Sequence, residues 1–174
     1  ESTVSLDLDD KRLVVKAGKS RFSLQTLPAE DFPQMNLNAA NQVSFTVTQK
    51  SFKNLLGQTQ YAMAAQDVRY YLNGMLLQVE GTALRSVATD GHRLAFAQME
   101  IAESLDRQEV ILPRKSVLEL ARLLADSEDP LNITLANNQA RFSFGEVVFV
   151  TKLIDGKFPD YTRVIPPSFS QELV

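Results

Sequence analysis

The sequence contains no cysteine. Disulfides and thiolate metal centres are therefore excluded, and a reducing compartment fits. Its apolar runs fall far short of the length a bilayer span requires, so no membrane partner is expected. The opening ESTVSLDLDD is acidic and alternating, unlike a basic segment followed by an apolar block. No secretory signal is read there, and a cytoplasmic protein is the expectation. Histidine is nearly absent too, with His92 alone. There is no G-x-S-x-G elbow, no H-E-x-x-H pair, no P-loop and no G-x-G-x-x-G after a strand.

What is present is ordinary globular composition: 174 residues, 44% hydrophobic and 22% charged. That suffices for one sizeable core, or one core and part of another. A net charge of −3 argues mildly against nucleic acid as partner. The total hides the distribution, however. From Asn41 to Gln66 there is no Asp or Glu, while Lys50 and Lys53 are present. Phosphates respond to a local face of one sign.

The chain contains an internal resemblance. Val4, Leu6 and Leu8 alternate with polar residues, and strands over Leu13–Lys16 and Arg21–Thr26 follow, closing with TLPAEDFP. Strands over Ile133–Leu135, Ala140–Phe144 and Val147–Leu153 close with KLIDGKFP. Phe32-Pro33 and Phe158-Pro159 stand 126 positions apart, a domain-sized spacing, with a small gap expected near Gly18 and Gly145. The chain reads as the tail of one module followed by a complete second one. Linkers are expected at 34–42 and 165–174.

Two helices are expected between the meanders. The first spans Gln49–Met63 and buries Phe52, Leu55, Leu56, Thr59, Ala62 and Met63. The second spans Pro113–Ala125, with proline in its first turn, Val117, Leu120, Ala121 and Leu124 inward, and Arg114, Lys115 and Arg122 outward. Both show water a neutral-to-basic face, Glu119 being the main exception. Strands are expected over 43–48, 75–80, 83–88, 91–98 and 108–112. Asp90-Gly91 reads as a hairpin turn, whereas Asn73-Gly74 has too little strand before it. The fold class is α+β, with antiparallel sheets and two helices on one side.

VATDGHRLAF, residues 87–96, invites a catalytic reading of His92. A triad needs a nucleophile and an orienting acid, and a metal site needs grouped carboxylates. Only Asp90 is near, and a turn-opening Asp bonding its local backbone explains it better. No catalytic residue, metal or cofactor is assigned. Arg93 beside His92 suits recognition.

Taken together, VATDGHRLAF, RYYLNGMLLQVEG, ILPRK, DGKFPDYTRVIP and the SRFSLQTLPAEDFP tail resemble the bacterial DNA polymerase III β subunits, the replicative sliding clamps. The resemblance covers essentially the whole chain. It implies the end of domain one at 1–42, domain two at 43–170 and the start of a linker at 171–174, with a third domain missing. It also implies the DNA-clamp fold, in which each domain puts two helices on the inside of a ring and sheets on the outside. Two subunits close head to tail around duplex DNA, without sequence preference. Lys50, Lys53, Arg114, Lys115 and Arg122 are then expected to face phosphates. Gln66, Arg69, Tyr70 and Tyr71 are further DNA-facing expectations, although one of the tyrosines equally fits strand packing.

The resemblance also gives His92 a place. Leu72, Thr89, Gly91, His92, Arg93, Leu94, Pro159, Arg163 and Val164 match a groove that captures peptides of the glutamine-leucine-x-leucine-phenylalanine kind. Two buried anchors at roughly 1.5–3 kcal/mol each, less the cost of association, imply micromolar-scale binding at best. The expected partners are duplex DNA, polymerase subunits, the clamp loader and repair polymerases, with a homodimer in the full-length protein. Two rivals remain open: a peptide-binding adaptor without a DNA role, and a hydrolase using His92.

Overall fold

The computed structural model describes residues 3–32 and 42–166. The expected linkers at 34–42 and 165–174 fall largely outside these residues. The chain divides into two compact units, Glu1–Asn36 and Leu37–Val174.

The first unit is an antiparallel meander of β1 (Val4–Asp9), β2 (Arg12–Ala17) and β3 (Ser20–Gln25). Period-2 alternation and short turns specify it.

In the second unit, β4 (Val43–Thr48), β7 (Pro130–Leu135), β8 (Gln139–Phe144) and β9 (Val147–Lys152) form one antiparallel sheet in the order β4-β7-β8-β9. The meander β7-β8-β9 repeats β1-β2-β3. The offset is 126 positions from Val4 to Pro130, but 127 from Arg12 to Gln139 and from Ser20 to Val147. The extra residue therefore lies in the first hairpin loop, and Gly18 and Gly145 occupy matching turns. The gap expected near Gly18 and Gly145 thus lies in that loop, and a compensating one-residue gap follows β3 and β9, since Phe32 and Phe158 are again 126 apart.

The four central strands merge into two. β5 (Gly74–Thr89) and β6 (Leu94–Pro113) form one long antiparallel ribbon, with register shifts around Gly81. The interruption expected between 80 and 83 is a bulge that bends the strand without ending it. The strand expected from 91 begins at Leu94, because Asp90–Arg93 form a four-residue connection between Thr89 and its partner Leu94. Asn73 closes a 3-10 turn over Tyr70–Leu72, so Asn73-Gly74 makes no hairpin.

Helix α1 (Gln49–Gly57) is capped by Thr48, whose hydroxyl accepts from the Ser51 amide at 3.2 Å. It is shorter than expected. Past Gly57 the Thr59 amide bonds Leu56 O at 3.2 Å, and the Thr59 hydroxyl donates back to Leu55 O at 3.3 Å. Both bonds tighten the last turn and end the helix. The expected apolar face is buried nonetheless, Ala62 being carried by a 3-10 turn over Gln60–Ala62. Helix α2 (Arg114–Leu123) starts one residue later than expected, with Pro113 as its cap at the end of β6.

Both helices bury one face in the main core. Phe52, Leu55 and Leu56 of α1 and Val117 and Leu120 of α2 meet Leu131, Ile133 and Phe142 of the sheet. A second, smaller core holds Ala64, Leu72, Leu76, Val87, Ile111 and Phe158. β5 serves both: Met75, Leu77 and Val79 point into the first, and Leu76 into the second.

Candidate peptide groove and helix face

Three segments converge on the second core. The 3-10 turn Tyr70–Leu72 supplies Leu72, buried to 2% exposure. The ribbon supplies Leu94, which packs partly buried against the core. The stretch after β9 supplies buried Phe158, exposed Pro159 and, beyond a 3-10 turn over Tyr161–Arg163, Val164 at 66% exposure. Leu72 is thus buried in the second core and Leu94 lies at its edge, while Pro159 and Val164 are exposed on the segment around and beyond Phe158. Leu76, Val87, Ile111 and Phe158 were not expected. Leu76 and Ile111 were hidden inside apolar stretches where every position looks buried, and which face each residue serves follows only from the register.

The candidate rim is the Asp90–Arg93 connection. One Asp90 carboxylate oxygen accepts from the His92 amide at 2.9 Å and the Arg93 amide at 3.0 Å. This is the local side-chain turn expected of Asp90. These two amides, His92 first, and the nearby Arg93 guanidinium lower the Asp90 carboxyl below its ordinary value. Thr89 adds a hydroxyl bond to Arg93 O at 2.7 Å and accepts from the Gly91 amide at 3.1 Å. Gly91 has φ of +89°, which L side chains rarely adopt. His92 and Arg93 are exposed, and the Arg93 guanidinium lies 5.8 Å from the centre of the Tyr61 ring. Arg163 is exposed and pairs with Asp160 at 2.9 Å. Asp160 also accepts from the Thr162 hydroxyl and amide, and these bonds together with Arg163 lower its carboxyl.

The expected DNA-facing residues divide sharply by partner. Lys50 pairs with Glu128 at 3.5 Å, and Arg122 with Glu119 at 2.8 Å. Lys53 donates to Leu124 O at 3.0 Å and Arg114 to Met63 O at 3.2 Å. Lys115 is exposed on α2, with no ion-pair partner among the described residues. Arg69 clasps Asp67 through both carboxylate oxygens, at 3.0 and 2.8 Å. That clasp, led by the side-chain bonds, pulls the Asp67 carboxyl down from 3.8 to about 2 and raises the Arg69 guanidinium. Tyr70 is 58% exposed, while Tyr71 packs against the second core, edge-on to Tyr70. Gln66, Arg114, His92 and Arg93 line a single open cleft of about 400 Å³, so the two expected surfaces adjoin.

Among the described residues no group of three or more His, Asp or Glu could hold a metal, and no helix is long and apolar enough to cross a membrane.

Residues 46–160 match the DNA polymerase III beta subunit, central domain, and residues 1–36 its N-terminal domain. The chain is 48% identical over 170 residues to the beta sliding clamp of Escherichia coli K12, covering 98% of this chain and 46% of that protein. To the beta sliding clamp of Pseudomonas aeruginosa it is 50% identical over 164 residues, covering 94% and 44%. The crystal structure of the P. aeruginosa DNA polymerase III subunit beta superposes with a TM-score of 0.87 at 48% identity, covering 97% of this chain and 46% of that one. A structure of that clamp bound to griselimycin also gives 0.87 at 48% identity, covering 98% and 46%. The chain spans less than half the length of these relatives. With two domain matches in order and half its residues shared, it belongs to the DNA polymerase III beta subunit family.

Proposed function

We propose that this chain forms part of a replicative sliding clamp: a non-catalytic processivity factor whose ring encloses duplex DNA and tethers polymerases through a peptide groove. In this reading residues 1–42 complete the first domain, 43–170 are the middle domain, and 171–174 lead to a third. The full-length protein acts in the cytoplasm as a homodimer, and polymerase subunits, clamp loader and repair polymerases share the groove.

The observation that carries the reading is the rim itself. A turn held by Asp90 and Thr89 exposes His92 and Arg93 next in sequence to Leu94 at the edge of the second core, and Pro159 and Val164 are exposed apolar residues near the Phe158 that the same core buries. The polar, acid-poor outer faces of α1 and α2 support the DNA side. With most of their cations already paired, the contacts are weak, as sliding requires; exposed pairs add under about 1 kcal/mol each.

The test uses the full-length protein carrying this segment. The loader places it on a nicked circular plasmid, and retention is followed on a sizing column before and after linearisation. Retention on the circle with loss from the linear form is expected. Equal retention on both means ordinary contact binding and rejects the ring. No retention on either, with loader activity confirmed, favours a peptide adaptor without a DNA role.

A further inference from the structure

Arg69, expected on the DNA-facing side, also reaches the Asp90–Arg93 turn. Its loop is closed on itself: the Asp67 amide donates to the Asn73 side-chain oxygen at 2.8 Å, and the Asn73 side-chain amide donates to Asp67 O at 2.9 Å. The same loop carries Leu72, buried in the second core. From this base Asp67 grips the guanidinium through Nε and Nη2, and the same Nη2 also donates to the Asp90 carbonyl at 3.3 Å. A Cβ at Gly91 would lie 2.9, 3.1 and 3.4 Å from three guanidinium atoms. Both terminal nitrogens are nearer than the carbon between them, so the guanidinium meets Gly91 edge-on through Nη1 and Nη2 and occupies the space of a side chain there. Asp90 then holds Arg93 at 3.0 Å.

From this geometry we propose that Arg69 is a positioning residue of the peptide groove, propping the Asp90–Arg93 turn, and that a nucleic-acid phosphate drawn to Arg69 withdraws the prop. Phosphate and carboxylate compete for the same planar fork of an arginine. A phosphate on Arg69 displaces Asp67, and the bond to Asp90 O is lost with the reorientation. The turn keeps its internal bonds from Asp90 and Thr89, so it stays folded while its placement over the groove loosens. Contact with DNA at this loop and peptide capture therefore oppose one another. The inference rests on the groove reading above and adds the coupling.

The test is fluorescence anisotropy of a labelled glutamine-leucine-serine-leucine-phenylalanine peptide on the full-length protein, with and without a saturating short duplex. Wild type is expected to bind peptide several-fold more weakly with duplex present. Arg69→Ala is expected to bind peptide about fivefold more weakly than wild type, independently of duplex. Arg69→Lys keeps the charge but not the fork. It is expected to hold duplex within twofold of wild type, while its peptide affinity falls as in Arg69→Ala and does not respond to duplex. Wild-type peptide affinity in Arg69→Lys, or an undiminished duplex effect in it, overturns the proposal; the latter result means direct competition. Val164→Glu separates the two levels. If it binds peptide like wild type, or if wild type binds none, the groove reading fails and the coupling with it. If it loses peptide while Arg69→Ala does not, only the coupling fails.

Discussion

Lys53 on α1 donates its ammonium to the carbonyl of Leu124, the residue that caps the C-terminal end of α2, at 3.0 Å. A cation at that end satisfies an orphan carbonyl and opposes the negative pole of the helix. The two helices are locked together by a residue whose sequence position suggested phosphate binding. Lys53→Met is therefore expected to cost about 1 kcal/mol, whereas Lys50→Met, which removes only an exposed pair, stays within about 0.5 kcal/mol. Urea denaturation of the two variants measures the difference.

Among the outward cations of α2, Lys115 has no ion-pair partner among the described residues, while Arg122 is held by Glu119. Lys115→Gln should weaken duplex binding by the full protein more than Arg122→Gln does. It should also flatten the salt dependence by up to about 0.9 in log–log slope, one phosphate contact. Binding titrations at several salt concentrations read both.

Val164 is 66% exposed, six residues beyond Phe158 of the second core, and belongs to the proposed groove. Val164→Glu is expected to lower peptide affinity more than tenfold by placing a carboxylate where an apolar anchor sits. The melting transition should move little, because an exposed substitution stays within about 0.5 kcal/mol. Peptide anisotropy and a thermal melt test the two halves separately.

A Cβ at Gly74 would sit 2.5 Å from Leu112 O and 2.9 Å from side-chain atoms of Ile111 and Ile154. The carbonyl belongs to the strand partner and has nowhere to go. Gly74→Ala is expected to cost about 1–3 kcal/mol through overpacking. Gly57→Ala, with open space around it, serves as the comparison in the same denaturation series.

Asp67 titrates at about 2 rather than 3.8 because Arg69 grips it. Its folded value lies below the unfolded one, so its contribution is complete above about pH 4 and disappears as pH falls toward 2. The melting-temperature gap between wild type and Asp67→Asn should be constant from neutral pH down to about 4.5, then close. Asp90 and Asp160 are also lowered and add to acid sensitivity in the same direction. Melts across the acid range give the curve.

Much of this fold is written locally. The six meander strands fall within a few residues of their expected limits because alternation and turn residues agree there. Helix α1 was overextended because burial continues through Thr59, Ala62 and Met63 after the helical hydrogen bonding stops at Gly57. Hydrophobic period reports which side faces in, not whether the backbone is still helical. The Asp90 turn was legible because its bonds reach only two and three residues. The partners of Lys50, Lys53 and Arg69 were not, since Glu128, Leu124 and Asp90 become neighbours only through the fold. Outward-facing basic residues therefore looked freer than they are.

The ribbon β5–β6 is a wall shared by two rooms. Leu76 and Ile111 face the second core, over which the groove is proposed, and Leu77, Val110 and Leu112 beside them face the core that seats both helices. Reshaping the groove floor thus means disturbing the helix seat, at the cost of folding. Drift that escapes a groove-directed inhibitor is confined to the rim, to Val164, Pro159 and the turn, where side chains change cheaply. An inhibitor anchored on the floor instead of the rim would meet the surface this protein is least free to alter.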